Sequence, residues 1–405
     1  MPRGLYVCTV FVMSGESTLP RASEPSHSLR RSERLPWQRA QGLESVLAKW
    51  RADSKVYHQI VFDSILPAQS AKHAPLPMDL HPSVVEALKK RAIDKLYSHQ
   101  VEAHEWASRG NNVVIATPTA SGKSLCYNLP ILNEMANNPQ ARALYLFPTK
   151  ALARDQEQSL RSLMGDIGLK HGAITYDGDT PGDARRAARE RGGVLLTNPD
   201  MLHAGILPHH ASWARLFSGL KYVVIDELHT YRGVFGSHLA NLIRRLKRIA
   251  AFHNANPTFL FASATIGNPA EHAERMIGDS VRLIDASGAP TGKKHVLLYN
   301  PPVVNEELGI RQSCIKVAVR LAAQLAQAGV STIVFGQSRN NVEVMLKYLR
   351  ERLSRDGIPA HSIEGYRGGY LPEKRRAIEA GLRNKEILVV VATNALELGI
   401  DIGAL

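Results

Sequence analysis

Five short runs of apolar residues constrain this chain more than any other feature. They are NVVIATP from Asn112, ALYLFPT from Ala143, GGVLLTNP from Gly192, KYVVIDE from Lys221 and TFLFASAT from Thr258. Each ends in a polar or glycine-containing turn, and helical stretches lie between them. Continuous apolar runs mark strands buried on both faces, and strands alternating with helices make a parallel sheet covered on either side. The expected fold class is therefore α/β, built on parallel sheets. In such sheets ligands sit beyond the carboxyl ends of the strands. The chemistry-bearing groups all fall at that end: Thr117 to Ser124, Thr149-Lys150, Thr197 to Asp200, Asp226-Glu227 and Ser263 to Thr265. A second series, STIVFGQ from Ser331 and EILVVVAT from Glu386, predicts a second and shorter lobe.

A chain of 405 residues exceeds one ordinary core. The expected divisions are a disordered lead over 1–36, rich in Ser, Pro, Arg and Glu, an accessory region over 37–80 and a first lobe over 81–285. A glycine- and proline-containing linker over 286–302 and a second lobe over 303–405 follow. Leu5 to Met13 alone could imitate a targeting segment, but one preceding arginine and no small-residue cleavage site make a secretory signal a poor reading, and Met13 is a possible second start. No run approaches the roughly 20 apolar residues of a membrane helix. The net charge of +13 and pI of about 9.7 favour a polyanionic partner such as nucleic acid, against a basic but indifferent surface. Cys8, Cys126 and Cys314 form no CxxC pair, which argues against a disulfide framework or a cysteine zinc site. That usage suits a reducing cytoplasm, so the expected location is cytoplasmic, nucleoid-associated if the chain is bacterial.

The run ATPTASGKS after the first strand ends in Gly122-Lys123-Ser124, the close of a phosphate-binding loop, although Thr117 stands where the opening glycine belongs. The tripeptide alone reads better as an ordinary surface turn. Between a buried strand and a helix carrying Leu125, Leu129 and Leu132, its amides would face a phosphate, Lys123 would reach the β/γ-phosphates and the Ser124 hydroxyl would hold Mg2+. Asp226 after four apolar residues can hold the same Mg2+, and Glu227 can take a proton from an attacking water.

Together these elements resemble a superfamily 2 DExH-box helicase. Asp226-Glu227-Leu228-His229 is the box, Ser263-Ala264-Thr265 resembles the coupling motif, and Thr393 to Asp401 resembles the fifth motif. Gln100 in LYSHQ matches the adenine-reading glutamine, while Phe147 to Leu152 and Thr197 to Asp200 resemble two DNA-backbone motifs. Family members often carry T-P-T-A/G-S-G-K-S/T in place of a glycine-first loop. The wording of the motifs is most similar to the RecQ-related branch that includes mitomycin repair factor A.

The resemblance implies two tandem RecA-like lobes, the second incomplete, and an ATP- and Mg2+-dependent DNA helicase moving 3′ to 5′ in genome maintenance. Nucleotide contacts fall on Gln100, Thr119, Ala120, Ser121, Gly122, Lys123, Ser124, Gly399 and Asp401, with Lys123, Asp226 and Glu227 catalytic and Ser124 and Asp226 on Mg2+. His229, Ser263 and Thr265 would couple nucleotide state to the nucleic-acid track. Thr149, Lys150, Arg154, Thr197, Gln337, Arg339 and Thr393 are candidates for the single-strand path, with a solvated helix-end charge the alternative for Arg154 and Arg339. The basic runs Arg185 to Arg191 and Arg244 to Arg248 read as solvated helix faces.

The family's sixth motif, which supplies arginine fingers, and the branch's cysteine-rich zinc module would follow the fifth motif. The sequence is accordingly expected to be an incomplete helicase that binds ATP and turns it over slowly. The expected partner is single-stranded or tailed duplex DNA, with RNA possible, no membrane and an oligomeric state left open. An RNA helicase or translocase, and a nucleotide-dependent nucleic-acid-binding module without useful turnover, stand as alternatives.

Overall fold

The computed structural model describes residues 10–11, 42–393 and 396. The chain divides into two compact units, one of residues 70–290 and one of residues 1–69 with 291–405.

The unit of residues 70–290 is built on a seven-stranded sheet. In chain order the strands are β1 (Val113–Ile115), β2 (Arg142–Leu146), β3 (Gly172–Thr175), β4 (Gly192–Thr197), β5 (Leu220–Ile225), β6 (Thr258–Ala262) and β7 (Arg282–Ile284). They lie in the order β7-β1-β6-β5-β2-β4-β3, and every pairing is parallel. The five apolar runs are the five interior strands. The short edge strands β3 and β7 stood in no such run, because each is partly exposed and needs fewer apolar residues.

Strand periodicity sorts the core into two layers. On one face Leu144, Leu146, Val223, Ile225, Phe259 and Phe261 pack with Leu239, Leu242, Ile243 and Leu246 of one helical stripe. On the other face Tyr145 meets Tyr127 edge to face at 5.6 Å, and its hydroxyl donates to Asn128 Oδ1 at 2.8 Å. The helices that matter for the site are α1 (Ser98–Ser108), α2 (Lys123–Asn137), α3 (Lys150–Ile167), α4 (Gly182–Arg191), α5 (Gly233–Phe252) and α6 (Pro269–Ile277). The two basic runs lie on α4 and α5, where Arg185 stacks over the Tyr176 ring and Lys247 over Phe259.

The other unit carries a smaller sheet of β8 (Thr332–Phe335), β9 (Ile363–Tyr366) and β10 (Val389–Ala392), in the order β8-β10-β9 and all parallel. Val10–Phe11, inside the stretch that could imitate a targeting segment, adds to the free edge of β8 in antiparallel sense. Helices α7 (Cys314–Gln327), α8 (Arg339–Ser354) and α9 (Pro372–Arg383) complete it. Ala318, Ala322, Ala323 and Ala326 give α7 a flat face that packs with Val342, Met345 and Leu349 of α8.

The opposite side of α7 is covered by sequence from far upstream. Val46, Leu47 and Trp50 of the helix Gly42–Ala52 pack on Val317, Leu321 and Leu325, and Trp50 Nε1 donates to Gln324 Oε1 at 2.7 Å. Ile60–Leu66 then pairs antiparallel with Lys294–Tyr299, so a strand occupies part of the segment expected to be linker. Each strand supplies the other's backbone partners, a match no local pattern announces. The fold of this unit therefore depends on the upstream helix. Trp50→Ala is expected to lower its stability by about 3–5 kcal/mol, seen in chemical denaturation as an earlier transition for this unit while that of residues 70–290 stays in place.

Candidate nucleotide and nucleic-acid site

The parallel sheet brings the loops after β1, β2, β4, β5 and β6 to one edge, and the sequence-predicted residues of the first lobe meet there. Lys123 opens α2, and Gly122 immediately before it has φ 76°. The positive φ favours glycine, and a Cβ there would stand 2.7 Å from Gln100 Nε2 and displace that amide. Ala120 also sits at positive φ, 59°, a strained conformation held by the surrounding loop. Thr117 is fully buried, with its Oγ1 2.7 Å from Ser121 Oγ. The threonine in the place of the usual glycine thus ties the two legs of the loop together. Lys123 Nζ donates to the carbonyls of Thr117 at 3.0 Å and Pro118 at 2.8 Å, and burial lowers its pKa against the opposing pull of Glu227 and Asp226.

The segment before α1 braces this loop. Gln100 accepts from the Tyr97 amide at 2.9 Å and donates to Gly122 O at 3.1 Å, so both ends of its amide are engaged. His99, which sequence reasoning passed over, accepts the Gly288 amide at Nδ1 (3.0 Å). That fixes the proton on Nε2, which donates to Ser121 O at 2.9 Å. Burial lowers the His99 pKa and keeps the ring neutral for this double role. Its only sequence signal was its place beside Gln100.

Asp226 and Glu227 stand at the tip of β5. The Asp226 amide bonds Leu146 O of β2 at 3.0 Å, its Oδ1 accepts the Glu227 amide at 2.8 Å and its Oδ2 accepts the Tyr127 hydroxyl at 3.3 Å. Tyr127 lies one turn beyond Lys123 on α2, so the phosphate-loop helix and the acidic strand tip are joined directly. Burial, then the neighbouring Glu227 charge, push the Asp226 carboxyl up to about 7. A buried carboxylate disfavoured in this way gains most from a divalent cation, and with the Ser124 hydroxyl it offers the hard oxygen donors that suit Mg2+. Among the described residues no cluster of three His, Cys, Asp or Glu side chains could hold a metal alone, which leaves phosphate and water oxygens to complete any such shell.

Glu227 takes φ 52°, a left-handed conformation rare outside glycine, and burial raises its pKa. His229 Nδ1 lies 3.4 Å from Glu227 Oε2 and 3.3 Å from the Ala264 amide, which donates to it. One nitrogen cannot serve both partners: neutral, it accepts from Ala264; protonated, it can only donate to Glu227. Ser263 is fully buried, its amide bonds Ile115 O of β1 at 2.9 Å, and its Oγ has no partner among the described residues. Thr265 is exposed.

The candidates for the strand path divide. Thr149 caps α3, accepting the Leu152 amide at 3.4 Å. Lys150 and Arg154, on the first turns of α3, are ion-paired to Asp179 and to Asp177 and Asp179 respectively. Thr197 is buried and its hydroxyl donates inward to Tyr176 O at 2.7 Å. In the other unit, Gln337, Arg339 and Thr393 follow the tips of β8 and β10, Gln337 and Arg339 exposed and the Thr393 amide bonded to Tyr366 O of β9 at 3.1 Å. Sequence reading missed what stands beside them: Arg367 and Lys374 flank the Tyr370 ring at 4.7 and 4.6 Å, and Arg367 pairs with Glu343. The YRGGY turn was its available signal, since a Cβ at Gly368 would stand 3.4 Å from Arg339 Nη2. Gly399 and Asp401 lie outside the described residues.

Two outcomes follow. Gly122→Ala is expected to weaken nucleotide binding and to cost about 1–2 kcal/mol through the forced left-handed alanine, read by nucleotide titration and by denaturation. A carboxyl whose pKa is raised on folding binds protons better in the folded state, so its stability contribution is lost as pH rises from about 4 towards 7. In EDTA, Asp226→Asn is therefore expected to gain stability over the parent as pH rises from about 4 to about 7, on the order of 2 kcal/mol, and an unchanged difference between the two chains would contradict the raised carboxyl.

Comparison with known proteins agrees with this geometry. Residues 97–273 match the DEAD/DEAH box helicase model and residues 314–405 the helicase conserved C-terminal domain model. The chain is 51% identical over 354 residues to the uncharacterized ATP-dependent helicase YprA of Bacillus subtilis, covering 87% of this chain and 47% of YprA. It is 37% identical over 370 residues to the ATP-dependent helicase HRQ1 of Saccharomyces cerevisiae, covering 90% of this chain and 34% of HRQ1. The crystal structure of the DUF1998 helicase MrfA bound to DNA and AMPPNP superposes with a TM-score of 0.84 at 49% identity, over 90% of this chain and 50% of that one. This chain thus spans half or less of the length of these relatives. With tandem RecA-like lobes, a phosphate loop and a DExH box in one frame, the chain belongs to the superfamily 2 DEAD/DEAH-box helicases and is related to MrfA.

Proposed function

We propose that this chain is the ATP-driven motor of a DNA helicase that moves 3′ to 5′ along single-stranded DNA in genome maintenance. The observation that carries it is the junction of Lys123, Tyr127, Asp226 and Glu227, which places a cation for phosphates and two half-buried carboxyls at one edge of the sheet. In this reading Lys123 leaves its loop carbonyls for the β/γ-phosphates. Ser124 and Asp226 would hold Mg2+, which would neutralise phosphate charge. Glu227, its carboxyl raised by burial, accepts a proton from water more readily than an exposed carboxylate does. His229 shifts between Ala264 and Glu227 and so links the acidic tip to the Ser263–Thr265 turn.

The choice of DNA draws on MrfA, two of whose solved structures are bound to DNA, and on the net charge of +13 of this chain. Direction of travel is carried over from the family. Phosphate contacts themselves do not separate DNA from RNA, so an RNA-directed motor gives the opposite preference in the same assays. A module that binds without useful turnover gives nucleotide-dependent affinity alone.

The roles separate by mutation in the 405-residue chain. Lys123→Ala is expected to weaken binding of a fluorescent ATP analogue roughly 10- to 100-fold and to leave salt-sensitive binding of single-stranded DNA in place. Glu227→Gln is expected to keep nucleotide binding and lower phosphate release roughly 10²- to 10⁴-fold. Full nucleotide affinity in Lys123→Ala, or full turnover in Glu227→Gln, would remove the assignment.

A further inference from the structure

Two of the cations read as nucleic-acid contacts are already occupied by carboxylates of their own chain. Lys150 Nζ lies 3.0 Å from Asp179 Oδ1, and Arg154 Nη2 lies 3.3 Å from Asp179 Oδ2, so one carboxylate presents one oxygen to each cation. A phosphodiester presents two anionic oxygens in the same way. The three side chains are open to solvent, at 45%, 55% and 59% exposure for Lys150, Arg154 and Asp179.

The neighbouring Asp177 is held quite differently. It is 2% exposed. Its Oδ1 accepts the Asp179 amide at 2.8 Å and the Thr180 hydroxyl at 3.2 Å, its own amide bonds Thr180 Oγ1 at 2.8 Å, and Arg185 donates to its carbonyl at 3.1 Å. Its Oδ2 meets Arg154 at 3.3 Å. Asp177 is therefore built into the loop, whereas the Asp179 side chain has, among the described residues, only Lys150 and Arg154 as partners. Three other exposed helical arginines pair locally, four residues apart, in Glu157–Arg161, Arg186–Glu190 and Glu271–Arg275. The contact at Asp179 reaches across from a different loop to cover two cations at once.

We propose that the Asp179 carboxylate is an internal competitor of the nucleic-acid backbone: it sits between Lys150 and Arg154 in place of a phosphate and swings out when a strand binds, while buried Asp177 stays to aim Arg154. The inference rests on the reading of Lys150 and Arg154 as strand contacts. The proximity of Lys150, then of Arg154, holds the Asp179 carboxyl below the usual carboxylate range, so it stays charged and competes through neutral pH. Each strand bound must break these contacts, which lowers affinity and lets the motor release its track. The freed carboxylate also recaptures a cation from solution, so the salt dependence of binding is shallower than the phosphate count implies.

The test is fluorescence anisotropy of a labelled single-stranded oligodeoxythymidylate with the 405-residue chain across a KCl series. Asp179→Asn is expected to tighten binding roughly two- to fivefold at low salt. It should steepen the slope of log affinity against log salt by up to about 0.7. Both gains should vanish when Lys150→Ala and Arg154→Ala are also present. Asp183→Asn, the same charge change at an exposed position on α4, should give no comparable gain, and Asp177→Asn should weaken binding by freeing Arg154. An Asp179→Asn chain that binds no tighter than the parent, or an Asp183→Asn chain that gains as much, overturns the competitor. A parent chain that binds no oligonucleotide at all overturns instead the reading on which the competitor rests.

Discussion

Every strand of the larger sheet runs the same way, and this single constraint assembles the site. Parallel pairing puts the carboxyl ends of β1, β2, β4, β5 and β6 at one edge, so residues far apart in sequence become neighbours without any contact between their side chains having to draw them together. The backbone bond from Asp226 to Leu146, and that from Ser263 to Ile115, are the last rungs of the ladders and set where the functional loops begin. A parallel sheet also demands burial on both faces, which the period-two division between the Phe261 layer and the Tyr145 layer supplies.

The edge so formed is costly to fold. Ala120 and Glu227 occupy left-handed backbone, Ser263 buries a hydroxyl without a partner among the described residues, and Asp226 carries a carboxyl that burial pushes towards its neutral form. Each term works against stability, and all fall on loops that meet the nucleotide and its metal in the proposed function. Their compensation is the packed core beneath and the bracing from His99 and Gln100, whose bonds to Ser121 and Gly122 hold the loop in shape. Strain concentrated at a site and over-determined by its surroundings is the pattern expected of preorganised chemistry. At the strand-path side the same principle takes an electrostatic form, with cations kept in place by carboxylates of the chain.

What could be seen in the sequence follows from how local each signal is. The interior strands were legible because burial on both faces writes an unbroken apolar run, and their polar tips lay next to them in sequence. The Thr117 question was legible as a departure, but its answer, a bond to Ser121, needed the loop conformation. Edge strands β3 and β7, and β9 with its Ile-Glu-Gly-Tyr, write almost nothing because they are partly exposed and carry no unbroken apolar run. The packing of Trp50 against α7, the pairing of Ile60–Leu66 with Lys294–Tyr299 and the Asp179 contacts are long-range choices of partner. The bond from the Tyr127 hydroxyl to Asp226 is a choice of the same kind, without a local signal.

The central claim is that this edge is a nucleotide engine answerable to a nucleic-acid track. The most direct measurement is phosphate release by the 405-residue chain with single-stranded DNA, with single-stranded RNA and with neither. The account predicts release that rises with DNA above both other conditions and disappears in Lys123→Ala. Release that is indifferent to nucleic acid, or that persists without Lys123, would contradict it.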